Sequence, residues 1–279
     1  MATRHRRNPV DTAARRASVL DPPRTHIREV VITTIANAPY LARLDEIGTL
    51  DYLAHNAGGA RVAVGLVGCD AELNAETYLI PAAMLDRSLG NPGNGCIQHG
   101  NWLPYLVTTD DAVIICIDGD VKMQRPFSAE EWDCLQEWQD GQVGIGPNEP
   151  KVGGDNMINE LCRIHPLVSD EEIGAMFRTS ARDPIGNAGC VVATRSTWLK
   201  LWQAYLRRWL DTAPMFAHIA VQQWTLNLCI NEGFERVVLP QTFHTHGHWG
   251  ELGDPYGGWG MHETATLHGD PILFAHKTW

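Results

Sequence analysis

The chain has 279 residues, of which 44% are hydrophobic and 20% charged, so a sizeable core is expected and disorder throughout is excluded. No apolar run approaches the ~18 residues that a transmembrane helix needs, so no membrane span is expected. The net charge of −11 is uneven, because residues 1–28 carry seven arginines against two aspartates and residues 29–279 are strongly acidic. The sequence therefore predicts a basic, flexible arm and an acidic body that is not a nucleic-acid platform. The arm could still touch nucleic acid, an anionic membrane or a sister subunit.

Strand and helix patterns alternate in the first half of the body. Short apolar and β-branched runs predict strands over 30–35, 61–68 and 112–117. Helical patterns lie between them, over 39–53, 74–89 and 97–106. Pro39 suits the first turn of the first helix, and Pro81 is expected to bend or break the second. The third strand is apolar throughout, which is typical of a central strand covered on both faces.

The second half is less regular. Strands are predicted over 190–194, 237–239 and 272–275, and a loop around a short strand over 141–154. Two helices are predicted, one after Ser196, which could cap it, and one over 217–231. The alternation indicates an α/β fold with a doubly wound, mainly parallel sheet. In such sheets ligands bind beyond the carboxyl ends of the strands, where Asp118 and Asp120 follow the third strand.

Asp118, Gly119 and Asp120 form a D-G-D segment that can carry chemistry. On an extended chain the two carboxylates point the same way, and the glycine leaves room for a ligand to approach the backbone. Two hard oxygen donors suit Mg²⁺ or Mn²⁺, which would also bind diphosphate oxygens. A simple turn also explains Asp and Gly after a strand, so the D-G-D segment alone does not decide between the two readings.

Four blocks together resemble the GT-A glycosyltransferases of family 8, the glycogenin- and galactosyltransferase-like enzymes. An apolar strand runs into the D-G-D segment in DDAVIICIDGDVKMQRPF. GNAGCVVATRSTWLKLW resembles the family's N-A-G, strand and Trp block, and VQQWTLN resembles its D-Q-x-x-x-N helix. ILFAHKTW resembles the C-terminal strand, His and K-P-W element. The blocks occur in the family's order, so the resemblance implies a GT-A fold over 29–279, with a nucleotide-binding half over 29–120 and an acceptor-binding half over 121–279.

The resemblance also implies roles for individual residues. Asp118, Asp120 and His276 would be the metal site for Mn²⁺ or Mg²⁺, and Lys277 would reach the diphosphate of the leaving group. Gln223 would lie beneath the anomeric carbon. The donor would be held by Asp118 and Gly119, by Asn187, Ala188 and Gly189 at the sugar, and by Thr33, Thr34, Ala36 and Tyr40 at the base and ribose. Catalysis would depend on Gln223, Asp120 and Lys277.

The chain departs from the family pattern at several places. Gln222 stands where the family usually has Asp, and His276 is adjacent to Lys277 instead of several residues before it, so His268 is a reserve ligand. An arginine common before the D-G-D strand is not evident, and His99 or Gln98 could replace part of its role. An amide at Gln223 favours retention, although Asp155, Asp183 and Glu251 remain candidate bases for inversion.

Other functions remain open at the sequence level. His244, His246, His248, His262 and His268, with Glu251 and Glu263, could bind iron, manganese or zinc in an oxygenase or isomerase, although the cupin fold that uses such sets is all-β. The stretch could also be an acceptor-facing loop, with Trp249, Tyr256 and Trp259 stacking on a sugar. A non-catalytic GT-A-like binding protein is a further alternative. A nucleotidyltransferase lacks support, because no Gly-rich nucleotide loop follows the first strand.

The sequence also bears on donor, acceptor and compartment. The donor is expected to be a nucleotide-sugar with UDP, and the acceptor could be a glycan, a small molecule, a protein or a modified nucleic-acid base. A homo-oligomer is compatible with the chain. Seven cysteines without close pairs indicate reduced, mostly buried thiols, so a cytoplasmic protein is predicted.

Overall fold

A computed structural model describes residues 27–81, 103–119, 121–147, 171, 186–212, 219–246, 266–267 and 270–276. Its strands are β1 Val30–Ala36, β2 Arg61–Val67, β3 Glu76–Ile80, β4 Val113–Ile117, β5 Val121–Met123, β6 Gln142–Pro147, β7 Gly186–Thr194, β8 Glu235–Val238, β9 His244–His246, β10 Thr266–Leu267, β11 Asp270–Pro271 and β12 Phe274–His276. Its helices are α1 Ala38–Ile47, α2 Thr49–Asn56, α3 Ala129–Glu137, α4 Arg195–Thr212 and α5 Ile219–Gly233, with a 3₁₀ turn at Leu103–Tyr105.

Seven strands form the central sheet, in the order β3-β2-β1-β4-β7-β6-β8. All neighbours are parallel except β7, which runs antiparallel to both β4 and β6. The prediction of a mainly parallel α/β sheet is confirmed. β5, β12 and β9 form a small second sheet, in which β12 is antiparallel to β5 and parallel to β9. β10 and β11 form a short antiparallel ladder.

β4 is the central strand, as its apolar sequence predicts. All five of its residues are fully buried, and alternate side chains enter the hydrophobic clusters on the two faces of the sheet. On one face, Trp198 of α4 lies over β4 and donates its Nε1–H to the carbonyl of Ile114 at 3.2 Å. Burial on both faces holds the carboxyl end of β4, and so Asp118, in a rigid frame.

The helix predicted over 39–53 is two helices. Gly48 separates α1 from α2 with φ +73°, a left-handed conformation that ends the first helix and that other residues adopt at a cost. Asn37 caps α1 by accepting the backbone N–H of Tyr40 at 3.1 Å. Leu44 of α1 and Leu53 of α2 are buried, so the region is helical as predicted but not as one continuous helix.

The helix predicted over 74–89 is wrong in its described part. Residues 76–80 form the edge strand β3, in which Ile80 is buried and Leu79 is 62% exposed. The strand is selected by packing, because a Cβ at Gly65 of β2 would lie 2.8 Å from both Ile80 and the ring of Tyr78. β4 is therefore the fourth strand of the chain and not the third.

Several element boundaries also differ from the predictions. β7 begins at Gly186, four positions before the predicted strand over 190–194. Thr194, and not Ser196, accepts the backbone N–H of Thr197 at 3.2 Å at the start of α4. α3 was not predicted, although Ser128 and Glu131 form a capping box that marks its first turn.

The N-terminus of α4 is tied to Asp140. Oδ1 of this carboxylate accepts the hydroxyls of Thr194 at 2.8 Å and Thr197 at 2.9 Å, and also that of Ser196. Lys200 donates to Oδ2 at 3.2 Å. Hydrogen bonds from Ser196, and then from Thr194 and Thr197, hold the pKa of Asp140 well below its usual range.

Asp140→Asn is expected to lower the free energy of unfolding at neutral pH by about 1 kcal/mol, because it weakens these charge-assisted hydrogen bonds. The folded-state pKa of Asp140 is lowered. Its contribution is therefore complete above the unfolded pKa of about 3.9 and is lost as the pH falls through the folded value. Urea unfolding should show the difference at neutral pH and a smaller one at about pH 3. Asp133→Asn, at an exposed position of α3, is the control; an equal loss at both pH values would contradict the assignment.

No helix among the described residues is both long and apolar enough to cross a membrane. None of the five cysteines in the described part of the chain forms a disulfide, and Cys116, Cys190 and Cys229 are buried. Burial raises the pKa of Cys229 to about 12, so this thiol stays protonated at neutral pH. The predicted arm over 1–28 lies outside the described residues except for Ile27 and Arg28.

Candidate functional site

Asp118 lies directly beyond the carboxyl end of β4, where the chain turns sharply. Its backbone N–H donates to the carbonyl of Gly189 at 3.0 Å, and its own carbonyl accepts the N–H of Val121 at 3.1 Å. Thr49 of α2 donates its hydroxyl to the carbonyl of Gly119 at 3.1 Å. Both strand pairing and helix packing therefore fix where the Asp118 carboxylate stands.

Gly119 is buried against α1. A Cβ at this position would lie 3.2 Å from Leu44 and 3.5 Å from the ring of Tyr40. A side chain here would have to displace Leu44 slightly, and the glycine brings the D-G-D segment close to Tyr40, one of the predicted donor-binding residues. Asp120 lies outside the described residues, as does Lys277.

His276 is brought to Asp118 from the other end of the chain. β12 pairs with β5, which follows the turn, and His276 lies opposite Val121 in this ladder. Nε2 of His276 is 3.8 Å from Oδ2 of Asp118, and the two side chains are only 7% and 19% exposed. These two predicted metal-site residues thus share one buried place, named here the Asp118–His276 site.

The predicted sugar-pocket residues lie beside this site at the start of β7. A Cβ at Gly189 would overlap the Nδ1 edge of the His276 imidazole, so only glycine lets the ring lie against the strand. Asn187 accepts the N–H of Gly189 at 2.7 Å, and Gln223 accepts the N–H of Ala188 at 3.0 Å. The structure therefore brings together all four of these residues with His276.

Asn227 anchors this arrangement, a role that the sequence did not assign to it. Its side chain is buried, accepts the N–H of Gly186 at 2.8 Å and donates to the carbonyl of Gly186 at 2.9 Å. It also donates to the carbonyl of Gln223 at 2.8 Å. Asn227 thus locks α5 to the start of β7. The asparagine of the VQQWTLN block was the available signal.

The four residues predicted to bind the base and ribose differ in their exposure. Thr33 and Thr34 are fully buried in β1, and the Thr33 hydroxyl is 3.0 Å from the phenolic oxygen of Tyr78 in β3. Burial raises the pKa of Tyr78, so the phenol stays protonated and holds the edge strand. Ala36 is buried at the carboxyl end of β1, where Cys69 approaches its carbonyl at 3.8 Å. Tyr40 alone of the four is partly exposed and lies next to Gly119.

His244, from the histidine-rich stretch, lies in the same region as His276. The two ring centroids are 5.7 Å apart, and His244 is fully buried. Burial, and then the neighbouring His276, lowers the pKa of His244 well below its usual value, so its imidazole is neutral. The side chain of His246, and His248, His262 and His268 entirely, lie outside the described part of the chain.

The donor chemistry of the site fits a divalent cation. A carboxylate oxygen and an imidazole nitrogen lie together at Asp118 and His276, and a second, neutral imidazole stands beside them. Carboxylate oxygens suit either Mn²⁺ or Mg²⁺, and imidazole nitrogen is a ligand for transition metals. Among the described residues no three such side chains are already close enough to hold an ion.

Neither a family model nor a curated protein matches the chain. Among solved structures, it is similar to the galactosyltransferase LgtC in complex with donor and acceptor sugar analogues, with 14% identity and a TM-score of 0.57 over 89% of this chain and 87% of that one. An active-site mutant of LgtC, with glutamate in place of a glutamine, aligns with 13% identity and a TM-score of 0.53 over 89% and 87% of the two chains. The apo-form glycosyltransferase GlyE of Streptococcus pneumoniae aligns with 11% identity and a TM-score of 0.53, over 90% of this chain and 55% of its own. The chain therefore has the GT-A fold of these glycosyltransferases, built on a mainly parallel central sheet.

Proposed function

We propose that this protein is a metal-dependent glycosyltransferase that moves a hexose from a nucleotide-sugar, with UDP as the nucleotide, to an acceptor hydroxyl. The observation that carries the proposal is the Asp118–His276 site. Two polar side chains that lie 158 positions apart in the sequence, the buried His276 and the partly buried Asp118, come within 3.8 Å of each other beyond the carboxyl end of the central strand. In open α/β sheets this is where ligands bind.

Asp118 and His276 would hold Mn²⁺ or Mg²⁺, together with Asp120. When bound, the cation supplies Lewis-acid stabilisation of the departing nucleoside diphosphate. Lys277 would add a positive charge at the diphosphate. Tyr40, beside Gly119, is the residue proposed to contact the nucleotide, because it is partly exposed at the same end of the sheet.

The start of β7 would bind the sugar. Asn187 and Gly189 hold a backbone segment against His276, and Gln223 presents its amide beside Ala188. Such a site would accelerate transfer by positioning and by charge stabilisation. Because Gln223 is an amide and not a carboxylate base, we propose retention at the anomeric carbon. Three of the five described cysteines are buried and none of the five forms a disulfide, which supports our proposal of a reducing, cytoplasmic compartment.

A donor panel tests this proposal. The metal-free protein is mixed with UDP-, GDP- and ADP-sugars with and without Mn²⁺, and the melting temperature and the release of free sugar are recorded. A saturating cognate donor at about 100 Kd should stabilise the fold by about 2.7 kcal/mol, or roughly 5–10 °C. Hydrolysis should stop with EDTA and return with Mn²⁺, and NMR of the early product should show the anomer of the donor.

Two outcomes would contradict the proposal. If no sugar nucleotide in the panel caused a Mn²⁺-dependent shift in melting temperature or was hydrolysed, a nucleotide-sugar would be ruled out as the substrate. Donor binding without turnover, with or without glycan, small-molecule, protein and nucleic-acid acceptors, would instead identify a non-catalytic binding protein. The acceptor class is identified as the one whose addition raises the rate of nucleotide release above the rate of donor hydrolysis without an acceptor.

A further inference from the structure

His244 is a buried imidazole whose polar atoms are not satisfied by the described part of the chain. The residue is 0% exposed, and neither Nδ1 nor Nε2 has a hydrogen-bond partner there. Buried polar side-chain atoms in folded proteins are nearly always paired, since leaving them unpaired is costly. An orphaned imidazole of this kind is free to take a ligand that the described residues do not supply.

The surroundings of His244 repeat those of His276. The two residues lie on the parallel neighbours β9 and β12, and both rings lie against a glycine of the central sheet. A Cβ at Gly146 of β6 would overlap Nδ1 of His244, just as a Cβ at Gly189 of β7 would overlap Nδ1 of His276. In His244 the Nδ1 edge lies against Gly146, so Nε2 is the nitrogen that can face a ligand.

The ring separation places both imidazoles within reach of one ion. The centroids are 5.7 Å apart, and Nε2 of His276 already points at Asp118, 3.8 Å from its carboxylate. The rings are inclined at 43°, so they are not stacked on each other.

We propose that His244 is a second imidazole ligand, through Nε2, of the divalent cation at the Asp118–His276 site. This inference rests on the proposed function, whose metal site it extends. Since the described residues contain no preformed group of three donors, the cation must draw the side chains together. Two nitrogen donors make the site selective for Mn²⁺ over Mg²⁺, because Mg²⁺ retains oxygen ligands.

Pulsed EPR of the Mn²⁺-loaded protein tests the proposal, because it counts the imidazole nitrogens bound to the ion. Two coordinated nitrogens are expected in the wild type and one in His244→Ala. The Kd for Mn²⁺, from titration followed by EPR, should rise at least about tenfold in the variant, while the Kd for Mg²⁺ changes less. His55→Ala, an exposed histidine of α2, is the matched control and should keep both nitrogens and the wild-type Kd.

A single coordinated nitrogen in the wild type would overturn the proposal, and this measurement does not depend on whether His244→Ala folds. Retention of both nitrogens in a folded His244→Ala protein would also overturn it. A wild type that binds no Mn²⁺ would overturn both this inference and the metal dependence of the proposed function. If two nitrogens were bound to Mn²⁺ but no donor was hydrolysed, the assignment of His244 as a ligand would be supported. Only the proposed transfer activity would then be contradicted.

Discussion

Asp118→Asn is expected to lower metal-dependent donor hydrolysis by about a hundredfold to a thousandfold, with little change in stability. Asparagine keeps the size of the side chain and leaves the backbone hydrogen bonds to Gly189 and Val121 in place. What it removes is the charge beside His276. Preorganised charges in a buried site commonly contribute effects of this size to the rate of a reaction. Rates with saturating Mn²⁺, together with urea unfolding, measure the two quantities separately.

Asp111→Asn is the matched control for this variant. Asp111 precedes the same strand, β4, at its opposite end, and it is 44% exposed beside Arg28 at 3.4 Å. Exposed ion pairs contribute little to stability, so this change should leave both rate and stability close to those of the wild type. Equal activity of the two variants would mean that the carboxyl end of β4 is not where the donor is activated.

Gly189→Ala is expected to lower activity by about a hundredfold and to destabilise the fold by about 1–3 kcal/mol. The added methyl group would overlap the His276 ring and lie 2.7 Å from the side-chain oxygen of Asn187. Overpacking of a buried position costs free energies of this order, and the strain is relieved when the imidazole moves from its place against β7. Displacement of a catalytic group by about 1 Å is enough for a hundredfold loss in rate.

Gly144→Ala is the control that distinguishes a loss of activity caused by damage to the site from one caused by lower stability. Gly144 lies on β6, and its added Cβ would lie 2.6 Å from the ring of Trp138. The clash is of a similar size but involves no site residue. A comparable loss of stability is expected, with activity and Mn²⁺ affinity of the folded protein unchanged. If both glycine variants lost activity in proportion to stability alone, the contact between Gly189 and His276 would have no functional role.

Element prediction succeeded where local pattern and tertiary environment agree. β4 is apolar throughout because both of its faces are covered. An unbroken apolar run of this kind can be recognised from the sequence alone. It failed at residues 76–80, where helical propensity is overridden by packing of Ile80 and Tyr78 over Gly65. It also predicted one helix over 39–53 in place of α1 and α2, since a helical pattern does not indicate the left-handed turn at Gly48.

For the candidate site, local motifs identified the residues at the strand ends. They did not indicate that these residues lie close together in the fold. Asn187, Gly189 and Gln223 could be named from two sequence blocks, and the structure places them together at β7 and α5. The VQQWTLN block marks Asn227, but its anchoring role was missed because its partner Gly186 is distant in sequence.

The sequence by itself determined the α/β class, the central strand and the position of Asp118 at its end, because these depend on hydrophobic periodicity and on short-range turn chemistry. Only the tertiary structure decided that His276 stands 3.8 Å from Asp118 and that His244 lies beside it. The spacing of His276 before Lys277 departs from the family pattern, so the sequence alone did not establish that His276 lies beside Asp118. Strand pairing between β5, β12 and β9 closes these distances, and pairing between segments so far apart is set by the fold and not by any local run of residues.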